Sequence, residues 1–360
     1  MVEEFEEKKE VQGTIVPTQQ VSVRATEDEI FVLLRMIAPG TSLRSAVDGA
    51  MKNGKGALIV IENERLLPLL DGGFRVNCRF TPQRLMELVK MDGAIVLSSD
   101  LKRINYANVL LTPDTKIKTA ETGTRHKAAE RTAKQTGTLV VAISERRNEI
   151  HLFYKNIKYL VKSTGDILRK ANEHLQMLEK QRDLFDKHVD RLTRLELRNH
   201  PSLGQGIAVI QKGRIIQKVA DEMKRYILEA GVEGALLKTR LKEITTGVER
   251  ETTLVIKDYT RLDVKRSKEL LEDLSYDDIL DAESILSVLA YESAKQAEQI
   301  KGWRILSKTS LEDSEIATVV RLTQSLGKAI NSNQAMYFET LGEEKARAFK
   351  EEVDKIKMNH

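Results

Sequence analysis

Met91-Asp92-Gly93-Ala94-Ile95-Val96-Leu97-Ser98 places a carboxylate and a glycine directly ahead of a short apolar run. A run of that length, bounded by turn residues and rich in β-branched side chains, reads as a strand covered on both faces. Gly56-Ala57-Leu58-Ile59-Val60-Ile61, Asn108-Val109-Leu110-Leu111 and Thr138-Leu139-Val140-Val141-Ala142-Ile143 repeat the pattern. Helical segments separate them. Thr81-Pro82-Gln83-Arg84 opens one with a threonine cap and proline at the first helical position. Upstream, Thr26-Glu27-Asp28-Glu29 is a capping-box pattern ahead of Ile30, Leu33, Leu34 and Ile37, closed by Pro39-Gly40. The alternation describes an α/β domain.

Beyond Tyr159 the periodicity changes. Ile167, Ala171, Leu175, Leu178, Phe185, Val189, Leu192 and Leu195 recur at three- and four-residue steps with charges between them. This is a long amphipathic helix of coiled-coil character, its stripe reading as core or oligomer seam. Helical periodicity continues from Gly206 to about Ala297, broken at Gly231 and Gly234. Four segments follow: a polar tail over 1–24, an α/β domain over 25–158, a helical spine over 159–300 and a small helical domain over 301–360.

Bulk properties narrow the function classes. Lys and Arg number 58 against 54 Asp and Glu, so the pI near 8.8 describes a mixed surface and no polycation. From Trp303 to the end, nine basic residues face nine acidic ones, a poor electrostatic footprint for DNA. Cys78 is the single cysteine, which rules out an internal disulfide or a cysteine zinc cluster and reads as a packing residue. No apolar run approaches the roughly 20 residues that span a bilayer. With the acidic opening Glu3-Glu4-Phe5-Glu6-Glu7, the expectation is a cytoplasmic protein.

Three loops carry the chemistry. Asp92 sits beside Gly93 at a strand entrance, where a carboxylate can hold Mg²⁺ or Mn²⁺ or take a proton from an attacking hydroxyl, although Asp-Gly is also an ordinary turn pair. Glu121-Thr122-Gly123-Thr124-Arg125-His126 precedes a helix, combining free N–H groups with two cationic or donor side chains that suit phosphate oxygens; an exposed helix start with incidental charges is the alternative. Ser144, Arg146 and Arg147 stand where a strand ends, a usual place for ligand groups, or else are polar hairpin residues before His151-Leu152-Phe153-Tyr154. Asp71-Gly72-Gly73-Phe74 is a further glycine pair that can let a base or ribose approach. Gly54-Lys55-Gly56 lacks the spacing of a nucleotide-binding P-loop and reads as a turn into a strand. No serine-hydrolase elbow, zinc-protease pair or EF-hand loop is present.

Together these strings resemble the family of DNA-integrity scanning diadenylate cyclases. The likeness is densest from Gly72 to Tyr159, with Lys90-Met91-Asp92-Gly93-Ala94, Tyr106-Ala107-Asn108, Ala133-Lys134-Gln135-Thr136-Gly137 and Ser144-Glu145-Arg146-Arg147-Asn148 in order. The resemblance implies an α/β cyclase domain with a mixed sheet flanked by helices, an all-α spine and a small helix-hairpin-helix-like C-terminal domain. It implies condensation of two ATP to cyclic di-AMP with Mg²⁺ or Mn²⁺, in an octamer that senses branched DNA. By the same resemblance Asp92, Gly93, Ala94, Arg125 and His126 are catalytic, with Asp92 the metal ligand. ATP contacts fall to Gly73, Asp92, Leu110, Thr124, Arg125, His126, Lys127, Ser144, Arg146 and Arg147, and DNA contacts to Leu341, Gly342 and Lys345.

The chain departs from the family pattern at Lys127, where the motif has arginine, at Ala128, where related chains carry threonine, and at Thr340, the usual earlier glycine of the hairpin. Lysine keeps the charge and loses the planar fork. Two readings stand: an active cyclase, and a nucleotide- or DNA-binding scaffold of the same fold.

Overall fold

A computed structural model describes residues 27–293 and 299–358. Thr26 and Ala297, like the tail over 1–24, lie outside them. The chain divides into two compact units, one built on Thr41–Val161 and the other on Lys162 onward.

In the first unit helices α1 (Glu27–Met36) and α2 (Ser42–Lys52) lead into β1 (Ala57–Ile61). There follow β2 (Leu70–Asp71), β3 (Phe74–Arg79), α3 (Pro82–Leu88), β4 (Ala94–Leu97), β5 (Arg103–Leu111), α4 (Thr124–Thr136), β6 (Val140–Ser144), β7 (Glu149–Tyr154) and β8 (Ile157–Val161). The sheet order is β2-β5-β4-β1-β6-β7-β8, with β3 also paired to β5. β1 and β4 run parallel and every other pairing is antiparallel, so the sheet is mixed as expected. β1 and β4 are buried along their whole length. One face packs Ile59, Ile61, Ile95 and Leu97 with α2 and α3, and the other packs Val60, Val96 and Phe153 with Ala129 and Ala133 of α4.

The apolar runs located the central strands, while β5 begins at Arg103, earlier than its apolar end suggests. β8 alternates intermediate and exposed positions and carries the sheet through Val161, past residue 158 where the α/β domain was expected to end. The glycines of two site strings have a structural task. Gly73 and Gly93 both have positive φ, and a Cβ on either would come within 3 Å of the β5 backbone around Asn108. Asn108 itself has φ 52 at an irregularity in the β4–β5 register. The close approach at these glycines is therefore made by the protein's own strand.

The second unit is helical: α5 (Thr164–Leu197), α6 (Leu203–Ala230), α7 (Ala235–Thr245), α8 (Val248–Tyr259), α9 (Val264–Asp273), α10 (Tyr276–Leu280) and α11 (Ala282–Val288). After them come α12 (Trp303–Leu306), α13 (Asp313–Thr323), α14 (Leu326–Asn331), α15 (Phe338–Leu341) and α16 (Glu343–Met358). A continuous set of buried side chains runs from Ile167 to Val353, so the helices after Trp303 share their core with the spine. Arg304 anchors that junction. It is fully buried, with Nη1 2.8 Å from Glu251 and 3.0 Å from Thr193, Nε 3.1 Å from Glu196, and a further short contact from Nη2 to Glu196. Beside it Asp258 accepts the backbone N–H groups of Gly302, Trp303 and Arg304 at 2.8–2.9 Å, capping α12.

Candidate nucleotide-binding site

The N-terminal ends of β1 and β4 and the C-terminal ends of β5 and β6 meet at one end of the sheet. There a cleft of about 610 Å³ opens. Its lining includes Gly93 and Ala94, Val109 to Leu111, Gly123 to His126, and Ile143 to Arg146. Three loops far apart in sequence thus converge, because parallel β1 and β4 start where antiparallel β5 and β6 finish.

The N-terminus of α4 is the positive wall. Gly123 caps the helix without a side-chain hydrogen bond, and no acid lies in the first turn. The N–H groups of Thr124, Arg125 and His126 are left to the positive end of the helix dipole. The segment leading into α4 is tied to the helix's own face. Gln135 accepts the N–H of Asp114 at 2.9 Å, Arg131 donates to the Ile117 carbonyl at 3.0 Å, and Lys134 donates to that of Lys118 at 2.9 Å. A helix that fixes its own approach loop presents a rigid anion site.

Arg125 lies against the start of β1. A Cβ at Gly56 would stand 2.0 Å from its Nη1, so Gly56 is the gap through which the guanidinium reaches the cleft. His126 packs edge-on against His151 of β7, with ring centroids 5.3 Å apart and planes at 81°. Burial pushes the His126 imidazole below its usual range; Lys158, Arg125 and Arg147 press the same way and Glu121 opposes them. Lys158 and Glu121 form an ion pair at 2.5 Å. At the mouth Ser144 accepts the N–H of Arg147 at 3.3 Å, and Leu110 is 61% exposed. A large aliphatic side chain held in solvent inside a cleft is a contact for an apolar or aromatic ligand group.

Of the residues expected at the site, Gly93, Ala94, Leu110, Thr124, Arg125, His126, Ser144 and Arg146 line the cleft. Asp92 is exposed next to Gly93, with neither a hydrogen bond nor an ion pair among the described residues. Arg147 is exposed and electrostatically close to His126, and Lys127 follows on the first turn of α4; neither lines the cleft. Gly73 stands apart from it, against β5. Three contributors escaped the sequence reading: Gly56, the Lys158–Glu121 pair and His151. A histidine inside the apolar run Ile150-His151-Leu152-Phe153 was the visible signal for the last.

Among the described residues no group of three or more His, Cys, Asp or Glu is arranged to hold a metal ion. The free carboxylate of Asp92 at the edge of the cleft, with that of Glu145 in its lining, fits Mg²⁺ or Mn²⁺ that arrives with its nucleotide, since such ions keep waters and phosphate oxygens as most of their ligands.

The expected DNA residues fare differently. Leu341 is buried in the helical core. Gly342, with φ 81, terminates α15 as a C-cap. Lys345 is paired with Glu315 at 2.5 Å. The first turn of α16 carries Glu343 and Glu344, a poor reception for phosphate.

The family described as "DisA bacterial checkpoint controller nucleotide-binding" matches residues 44–157, and "DisA bacterial checkpoint controller linker region" matches 161–298. The chain is 45% identical over 293 residues to the DNA integrity scanning protein DisA of Acetivibrio thermocellus, covering 79% of this chain and 81% of that protein. It is 37% identical to the DisA proteins of Clostridium acetobutylicum (91% of this chain, 95% of the relative) and Bacillus subtilis (93% and 96%). This chain belongs to the DisA family. No helix among the described residues is long and apolar enough to cross a membrane.

Proposed function

We propose that this DisA-family protein is a diadenylate cyclase, joining two ATP into cyclic di-AMP with release of two pyrophosphates. One observation carries the reading: Arg125, His126, Ser144, Arg146 and the free N-terminus of α4 converge on one cleft, with the unpaired Asp92 at its edge. The triphosphate lies along α4, its charge offset by Arg125 and His126 and, further out, by Ser144, Arg146 and Arg147. Leu110 packs against the base. Asp92 faces the reacting hydroxyl and accepts its proton.

Each 3′-oxygen forms a bond to the α-phosphorus of the other ATP as the bond from that phosphorus to pyrophosphate breaks. A bound Mg²⁺ or Mn²⁺ offsets charge on the phosphates. One cleft holding one ATP cannot close the ring, so two protomers face each other, and the family resemblance extends this to an octamer. Scanning of DNA integrity enters through the name of the relatives, and the family resemblance extends it to branched DNA; the acidic start of α16 and the paired Lys345 give it no cationic surface at Gly342.

The test is incubation of the purified protein with ATP and Mn²⁺, followed by chromatography for cyclic di-AMP. The expected result is cyclic di-AMP from the wild-type protein and at least a 100-fold loss in Asp92→Asn, with ATP binding and thermal melting retained. ATP bound without any cyclic product would leave the scaffold reading in its place. A salt-dependent gel shift with a four-way junction tests the DNA arm.

A further inference from the structure

His151 occupies a position where β7 should be apolar. The strand has four consecutive buried residues, Ile150 and Leu152 packing into one core and Phe153 into the other, beneath α4. His151 shares the Phe153 face and is only 5% exposed. Its ring stacks on Phe153, with centroids 6.2 Å apart and planes at 27°, and meets His126 nearly at right angles. Nδ1 of His151 is buried with no hydrogen-bond partner, while Nε2 lies 3.8 Å from the Glu149 carboxylate. A buried unsatisfied nitrogen costs folding free energy, and a valine or leucine would fill the same space without that cost.

The contact with Glu149 favours the tautomer that carries its proton on Nε2, which leaves Nδ1 a bare lone pair. The two rings are in edge contact, so an unfilled acceptor on a neutral His151 favours a proton on His126. Burial lowers both imidazoles, and a charge on His126 lowers His151 further, so the second ring stays neutral when the first is charged. The surrounding charges are Glu121, Arg125, Arg147 and Lys158 around His126, with Glu149 next to His151. The three cations resist protonation of His126 while the cleft is empty. A triphosphate would offset them.

Resting on the assignment of this cleft to a nucleoside triphosphate, we propose that His151 is a positioning residue for His126. It fixes the ring edge-on and, as a neutral acceptor, favours the protonated form that grips phosphate, so that nucleotide binding takes up a proton.

The test is calorimetric titration of the full chain with α,β-methylene ATP and Mg²⁺ from pH 5.5 to 8, in buffers of different ionisation enthalpy. Affinity should rise, with proton uptake, as pH falls through the imidazole range. His151→Phe, which keeps an aromatic ring and removes the acceptor, should move that transition to lower pH by roughly half a unit to one unit. At pH 7 it should weaken binding about threefold to tenfold. His151→Asn, which restores an acceptor near the Nδ1 position, should recover most of the loss. Thermal melting of each variant separates this from misfolding. Nucleotide bound with an unmoved transition in His151→Phe would overturn the role of His151 and spare the cleft. No binding of the analogue at any pH would overturn both.

Discussion

Two arginines of this chain show how one side chain serves opposite ends. Arg304 is fully buried, and Glu196, Glu251 and Thr193 take up its donors. Arg125 lies at a cleft, threaded past Gly56, without a carboxylate partner among the described residues. The first is architecture, since a desolvated guanidinium is tolerable only where partners surround it. The second is capacity to bind, since its charge is left for a ligand. Saturation of donors separates a structural cation from a functional one.

The largest expected effect would break the structural half. Arg304→Met leaves Glu196, whose carboxyl burial already pushes above its usual range, without its cation. Urea unfolding followed by the fluorescence of Trp303, the chain's single tryptophan and the first residue of α12, should show a loss of about 3–5 kcal/mol. A loss near zero would mean that the network is no clamp.

Gly56→Ala addresses the other arginine. The new methyl meets the end of a flexible side chain, so Arg125 swings away, while the Ile143 carbonyl 3.3 Å off need give only by a few tenths of an ångström, at little cost to folding. Nucleotide affinity should fall by about tenfold with the melting temperature nearly unchanged, the reverse of the Arg304 result. Equal affinity would detach Arg125 from binding.

A pH dependence sharpens the structural half. Burial, with Glu196 nearby, pushes Asp258 up to about 7 against the three N–H donors it accepts. A carboxyl higher in the folded state than in the unfolded chain holds a proton that unfolding releases. Its contribution to stability is therefore full below about pH 4 and declines as pH rises toward 7. Asp258→Asn removes this dependence, so its stability relative to wild type should improve from pH 5 to 7.5. Parallel curves for the two proteins would contradict the assignment.

The apolar runs at Ala57, Ala94 and Val140 declared the central strands because burial on both faces leaves no room for polar alternation. β8 was obscure for the opposite reason: a partly exposed edge strand carries little hydrophobic signal. The cleft followed the same division. Asp92, Gly123 to His126 and Ser144 to Arg147 stood out as polar strings at strand and helix ends, whereas the contact of Gly56 with Arg125 has no local signal and that of His151 with His126 only the polar residue in an apolar run.

By itself the sequence determined the order of secondary elements, the family and the polar groups available for phosphate, since each is written in local periodicity and motif spacing. Tertiary structure alone decided which groups meet. The mixed pairing of β1, β4, β5 and β6 brings three separated loops to one sheet end, and the fold of the helical unit closes the partners around Arg304. Both depend on contacts between residues tens to over a hundred positions apart, and local sequence carries no record of such pairings.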